Sequence, residues 1–373
     1  MRAKSGPVSG SSTRRVVYFL GAGFSAPFGL PVMSTFLEKS KDLYFENPSR
    51  YGHFQEVFEE IGRMSIVKNC YKTDLFNIEE ILSILTMQKS LRGRKLNDVF
   101  VRYIRDVIDY YTPRPQRLAQ KTPVPKWKEQ LFSSIGEVQQ SLAFFVASLA
   151  PSRILRASPG AGTVHAETLA SPPKVKYDVI SLNYDKVLEN FARYIQATVA
   201  RAPISFQVHG GPETAEEVAS RPTVKVTLAK LHGSVDSPAL VAPTWNKDVK
   251  KPLRDAWKSA LELLENANHI RIIGYSLPTS DAYIKYLLRA AAIASPNKNL
   301  KKIDVLCLDD RRESLRQRYQ EFVDFPTFRF ANQSVEQYLR AVREATIKPS
   351  DAEEIELKHL EEVHELFFKE YGG

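Results

Sequence analysis

Arg15-Val16-Val17-Tyr18-Phe19-Leu20 runs directly into Gly21-Ala22-Gly23-Phe24-Ser25-Ala26-Pro27-Phe28-Gly29-Leu30-Pro31. Five consecutive β-branched, aromatic or apolar side chains predict a buried strand, and the glycines after them predict an abrupt turn. Gly21, Gly23 and Ala26 fit the Gly-x-Gly-x-x-Gly/Ala spacing, in which backbone N–H groups and a helix N-terminus can hold a pyrophosphate. The same spacing also fits a tight strand-to-helix turn that binds nothing. A dehydrogenase would place a second strand within about 30 residues, ending in an acid for the ribose. Here Gly29-Leu30-Pro31 leads into helical patterns instead, and Asp42 has no strand beneath it.

On either side of this stretch the pattern divides the chain. Residues 1–14 are basic and rich in Ser and Gly, with no face to bury, and read as a flexible tail. From about 33 to 111 the pattern is helical: Ile78, Ile81, Leu82 and Leu85 share one face, as do Phe100, Tyr103, Ile104, Val107 and Tyr111. Four prolines mark 112–126 as a linker, a helix is expected over about 127–149, and a loop from there to about 173. Strands are then expected at 177–182, 224–231, 269–273, 303–308 and 327–330. Helices are expected between and after them at about 185–197, 252–267, 281–294, 311–322 and 334–345. Apolar strands alternating with helices predict an α/β fold, a Rossmann-like parallel sheet with helices on both faces. The sheet domain would comprise 15–32 and 173–335, interrupted by a large helical insertion at 33–172. Residues 336–373 would add C-terminal helices, of which the acidic one over 351–369 packs on the body or on a partner.

Composition narrows the functional classes. The chain has 373 residues with 43% hydrophobic and 25% charged content, which fits a folded protein rather than a disordered one. No apolar run is long enough to cross a membrane and the N-terminus lacks a leader pattern, so a cytoplasmic location is expected. The formal charge of +9 is uneven: 351–373 carry a net −6, whereas 89–130 carry a net +7. The basic residues are scattered among apolar ones without a nucleic-acid-binding signature, so any nucleic-acid contact is expected to be indirect. Cys70 and Cys307 are the only cysteines, which excludes a disulfide framework and a four-cysteine zinc module.

Three further expected strand ends carry polar residues: Asn183-Tyr184-Asp185, His232-Gly233-Ser234, and Gly274-Tyr275-Ser276-Leu277-Pro278. Ligands of open parallel sheets lie beyond the carboxyl ends of the strands. Singly, each has a structural reading, as a helix cap or a satisfied strand-end histidine. Together with the glycine turn they would line one crevice.

The order Gly21-Ala22-Gly23-Phe24-Ser25 with Gly29-Leu30-Pro31, then Leu182-Asn183-Tyr184-Asp185, Leu231-His232-Gly233 and Gly274-Tyr275-Ser276-Leu277 resembles the successive NAD-binding motifs of the sirtuin superfamily. The resemblance runs from about 15 to 335 and is strongest to the divergent sirtuin-like domains of prokaryotic antiphage defence, which hydrolyse NAD. It implies that Gly21, Ala22, Gly23 and Ser25, with Gly29 and Pro31, hold the pyrophosphate side, and that Asn183 and His232 sit at the reacting ribose. It further implies that Asp185 faces the nicotinamide amide, that Gly274, Ser276 and Leu277 contact the adenosine side, and that Asp309 is a candidate for the adenine ribose. Relatives of this form are found beside HerA-type ATPases, so the resemblance also implies a homo-oligomer or a partner protein that controls the activity.

Two departures from the family pattern matter. Two distant cysteines cannot build the zinc module of protein-deacylating sirtuins, so no zinc is expected, and Val32-Met33-Ser34 stands where those enzymes continue with Asp-Phe-Arg. NAD hydrolysis is therefore the expected reaction, with an NAD or ADP-ribose sensor and an NAD-dependent deacylase as alternatives. A serine hydrolase using Ser276, Asp309 and His359 is the remote one, because Pro occupies the position where its nucleophile turn needs Gly. His359 and His364 are five apart, a spacing that points them to different sides of a helix and not at one metal.

Overall fold

The computed structural model describes residues 13–67, 80–81, 83–85, 87–88, 96–116, 127–156, 163–169, 171, 174–211, 224–237, 251–278, 281–295, 301–323, 327–347 and 354–373. Its strands are β1 (Arg14–Leu20), β2 (Arg153–Arg156), β3 (Val164–Glu167), β4 (Val175–Ser181), β5 (Val199–Ala200), β6 (Ile204–His209), β7 (Val224–Lys230), β8 (His269–Ile273), β9 (Lys302–Leu306), β10 (Phe328–Ala331) and β11 (Glu354–Glu356). Its helices are α1 (Ala22–Ser25), α2 (Met33–Glu46), α3 (Phe54–Val67), α4 (Leu96–Tyr111), α5 (Trp127–Gln130), α6 (Glu137–Ser148), α7 (Val187–Thr198), α8 (Lys251–Asn266), α9 (Ala282–Ala294), α10 (Ser314–Phe322), α11 (Val335–Ile347) and α12 (Leu360–Tyr371).

Seven strands form one sheet in the order β10-β9-β8-β1-β4-β7-β6, and every neighbouring pair is parallel. The side-chain alternation of β1 shows why both faces must be covered. Val16, Tyr18 and Leu20 enter one core, with Phe144 and Phe145 of α6, Tyr338 of α11 and Phe367 of α12. Val17 and Phe19 enter the other, with Leu264 of α8, Ile284 of α9 and Tyr319 of α10. The fold is thus the expected α/β, Rossmann-like parallel sheet between two helical layers.

Several local expectations are corrected. The loop expected over 150–173 contains β2 and β3, which join β11 and β5 in a second sheet ordered β11-β2-β3-β5, so the span 33–172 is not purely helical. The single helix expected at 127–149 is two, interrupted where Phe132 adopts φ 66°. Glu354–Glu356 is a strand rather than the start of a terminal helix, and α12 packs on the body through Leu360, Val363, Phe367 and Phe368. The tail residues 1–12, Cys70, Ile78 and Leu82 lie outside the described residues.

A buried polar row crosses the sheet at the level of Tyr18. Register aligns Tyr18 of β1 with Arg271 of β8, Arg271 with Asp304 of β9, and Asp304 with Arg329 of β10. Two hydrogen-bond branches lead from Arg271 to Asp304 Oδ2. In one, Arg271 donates to the Tyr18 hydroxyl (2.8 Å), which is 3.3 Å from the Tyr338 hydroxyl, which in turn lies 3.0 Å from His364 Nδ1; His364 Nε2 is 2.9 Å from Asp304 Oδ2. In the other, Arg271 lies 3.4 Å from His269 Nδ1, and His269 Nε2 is 2.5 Å from the same Oδ2. The hydroxyls and imidazoles along the two branches match donor to acceptor only if both imidazoles are neutral and protonated at Nε2. Burial, the largest influence, pushes His269 down to about 4, and burial with Arg271 pushes His364 well below the ordinary histidine value. The row fastens α12 to the centre of the sheet, since His364 belongs to that helix and Glu361, also on it, pairs with Arg271 at 2.7 Å.

Candidate functional site

The four sequence motifs end four consecutive strands of the sheet. Reading across β8, β1, β4 and β7, the carboxyl ends carry Gly274, Gly21, Asn183 and His232. The chain reverses direction across the sheet at β1, passing to β4 on one side and later to β8 on the other, so the crevice for a ligand lies beside the glycine turn.

The glycines are required there by backbone contact. Gly21 N–H donates to the Ile273 carbonyl (3.0 Å), Gly23 N–H to the Gly274 carbonyl (2.8 Å), and Phe24 N–H back to Gly21 (2.9 Å). A Cβ on Gly21 would lie 2.6 Å from the Gly274 oxygen, and one on Gly274, at φ +66°, would lie 2.2 Å from Phe24 N. These three N–H groups are thus committed within the protein. Ala22 is the exposed member of the turn. Gly29 answers a different demand: its Cβ position is open, but φ is +95°. Pro31, half-buried, lies just before α2.

Asn183 is nearly buried, and its position is specified on two sides. Its Nδ2 donates to the Gly21 carbonyl (3.0 Å) and to Ser25 Oγ (3.1 Å), which leaves Oδ1 as the end of the amide without a partner among the described residues. Ser25, 2% exposed, has its hydroxyl near enough to Asp185 to favour the ionised carboxylate. Asp185 Oδ1 also accepts the Val187 N–H at 3.0 Å, the two-residue turn by which an aspartate starts a helix. Burial pushes the Asp185 carboxyl above the usual range, against the pull of Lys230 and of these hydrogen bonds. Asp185 is therefore engaged inward, in holding the turn.

His232 is 3% exposed, its ring 5.8 Å from that of Tyr184. The two turns are tied directly, Val235 N–H donating to the Tyr184 carbonyl at 3.0 Å, and Gly233 takes φ +85° to reverse the chain after His232. Beneath Asn183, residues including Ser25, Asp185, Glu189 and Lys230 line a cavity of about 10 Å³. That is room for about one water.

Other predicted residues have different positions. Ser276 is exposed, and its carbonyl accepts from Arg318 at 2.9 Å. Leu277 is fully buried and holds φ 45°, a left-handed backbone that is strained for a leucine. Asp309 is used by its own helix: its carboxylate accepts the N–H groups of Asp310 (2.8 Å), Leu315 (2.9 Å) and Arg316 (2.7 Å). Its carboxylate thus caps α10. His359 lies 3.3 Å from Glu362. A Ser276-Asp309-His359 triad is not assembled.

Two groups escaped the sequence reading. Lys230, 1% exposed, ends β7 inside the site. His269, Asp304 and His364 bring three metal-capable atoms within 4.8 Å of one another. Arg329, however, already grips both Asp304 oxygens, at 2.7 and 2.6 Å. With Arg271, Arg14 and Lys302 also beside the cluster, a dication would enter an already cationic region.

Among the described residues no helix is long and apolar enough to cross a membrane. No curated protein matches the chain. A solved Sir2 in complex with an inhibitor, 2′-O-acetyl-ADP-ribose and deacetylated p53 peptide is 13% identical over 89% of this chain and 94% of its own, with a TM-score of 0.36. A Sir2 with deacetylated p53 peptide and 3′-O-acetyl ADP-ribose is also 13% identical, over 90% and 94%, at 0.38. A Sir2 with p53 peptide and NAD⁺ is 13% identical over 89% and 93%, at 0.33. Over residues 178–325, which include Asn183, His232 and Gly274, the chain matches the SIR2-like domain family.

Proposed function

We propose that this chain hydrolyses NAD to nicotinamide and ADP-ribose. The observation that carries the reading is the placement of Gly274, Gly21, Asn183 and His232 at four consecutive strand ends, with the Asn183 amide fixed by Gly21 and Ser25. The SIR2-like match over 178–325 supports it.

The chemistry suits these residues. Nicotinamide leaves from a pyridinium and departs neutral, so the site needs no general acid for the leaving group, unlike that of an ordinary glycosidase. What remains is to orient the ribose, stabilise its developing positive charge and direct water at the opposite face. Asn183 Oδ1, the open end of a fixed amide, is placed to accept from that water or from a ribose hydroxyl. His232 supplies a proton acceptor from the adjacent strand. Asp185 and Asp309, taken up by helix capping, act in this account as supports for the crevice.

Such an activity consumes an essential cofactor and must be restrained. The reading therefore includes control by assembly or by a partner such as a HerA-type ATPase, in an abortive response to phage. Protein deacylation and a sensor that binds NAD without cleaving it are both compatible with the SIR2-like match. Chromatography of NAD digests separates the three: free ADP-ribose without acyl-peptide supports hydrolysis, acyl-ADP-ribose formed only with acyl-peptide supports deacylation, and intact NAD with measurable binding supports a sensor.

A further inference from the structure

We infer that Lys230 is a positioning residue whose buried ammonium clamps the Asn183 turn to the His232 turn. Lys230 is the last residue of β7, and its Nζ donates to the Asp185 carbonyl, to Glu189 Oε1 (3.0 Å) and to Ser234 Oγ (3.1 Å). Three protons meet three acceptors, so the ammonium is fully satisfied. The acceptors belong to three segments: the turn after β4, the first turn of α7 and the turn after β7. Asn183 lies two residues before the first acceptor, and His232 lies between Lys230 and the last.

Packing alone does not call for this arrangement. Taking an ammonium and a carboxylate out of water carries a desolvation penalty that an apolar pair of equal volume avoids. An apolar residue at 230 would fill the same space but could not hold Asp185 and Ser234 in fixed relation. The same clamp bears on Asn183 through the backbone, because the Asp185 carbonyl that Lys230 holds lies two residues after it in the same turn. The inference rests on the NAD-cleavage reading for its catalytic consequence. Its geometric content stands apart from that reading.

The experiment compares the whole chain with Lys230→Met, which keeps the volume, and with Lys230→Met/Glu189→Gln, which also removes the carboxylate left unpaired. Hydrogen exchange over 183–187 and 232–236 is followed with nicotinamide release from NAD. The double variant is expected to recover most of the thermal stability lost in the single one. It should still exchange at least tenfold faster in both segments, and kcat should fall about a hundredfold with KM within threefold, as misplacement of a reacting pair by about 1 Å does. Parent-like exchange in both segments of the folded double variant would overturn the clamp, whether or not the parent cleaves NAD. Loosened segments with parent-like kcat would overturn the positioning role. A parent that releases no nicotinamide under any condition would count against the NAD reading and leave exchange to decide the clamp.

Discussion

Asn183 Nδ2 stands 3.0 Å from the carbonyl oxygen of Gly21, so the side chain ending one strand is bonded to the backbone turn ending its neighbour. Sequence separation of 162 residues is thereby reduced to a single hydrogen bond. The link fixes which end of the amide faces the crevice, and the expected consequences begin there.

Asn183→Ala should lower nicotinamide release by roughly ten to a thousandfold, the range of positioning and acid–base effects. It also removes a donor from the Gly21 carbonyl and from Ser25, so stability should fall by about 1–3 kcal/mol without loss of the fold. Urea unfolding alongside kinetics checks both. Parent-like turnover in a folded Asn183→Ala protein would remove Asn183 from the mechanism.

Gly274→Ala and Gly29→Ala form a contrasting pair. At Gly274 a methyl would strike the Phe24 and Gly23 backbones, so a loss exceeding about 3 kcal/mol is expected. At Gly29 there is room, and only the positive φ is penalised, by about 1 kcal/mol. Denaturant midpoints for both variants test the ordering. Equal losses would contradict the packing account of the glycine turn.

Stability should also depend on pH through the polar row. His269 titrates at about 4 in the folded protein against an ordinary 6.5, so folding keeps it neutral where the unfolded chain binds a proton. The stability is complete above about 6.5 and declines as pH falls from there to about 4, by an amount on the order of 3 kcal/mol. Unfolding free energies at pH 7.0, 5.5 and 4.5 should show the decline, and His269→Gln should reduce its slope. An unchanged slope in that variant would mean that other groups dominate.

Resistance to fluorophosphonate labelling follows from the commitment of Asp309 to the N-terminus of α10 and of His359 to Glu362. Labelling of Ser276 in the whole protein would contradict this.

The central strand and the four motifs were legible in the sequence because each combines a continuous apolar run with an abrupt polar or glycine end, a local signal. Residues whose partners are distant were not. Arg271 in an apolar strand makes sense only with Tyr18 and Glu361, and Lys230 only with Asp185, Glu189 and Ser234. The resemblance makes Asp309 a candidate for the adenine ribose, and its use as a cap was not legible because the helix whose N–H groups it accepts begins five residues later. The strands of the smaller sheet, of two to four residues each with charged side chains among them, are too short for a period of two to show. β6 is not among the expected strands; it is an edge strand ending at His209, just before Gly210-Gly211.

The most direct measurement is nicotinamide release from NAD by the purified protein, alone and with candidate partner proteins or DNA, beside Asn183→Ala and His232→Ala. The account predicts equimolar nicotinamide and ADP-ribose from the parent under at least one of these conditions, and release of both products slowed at least about tenfold in each folded variant. NAD left intact by the parent throughout, or cleaved equally well by both variants, would contradict it.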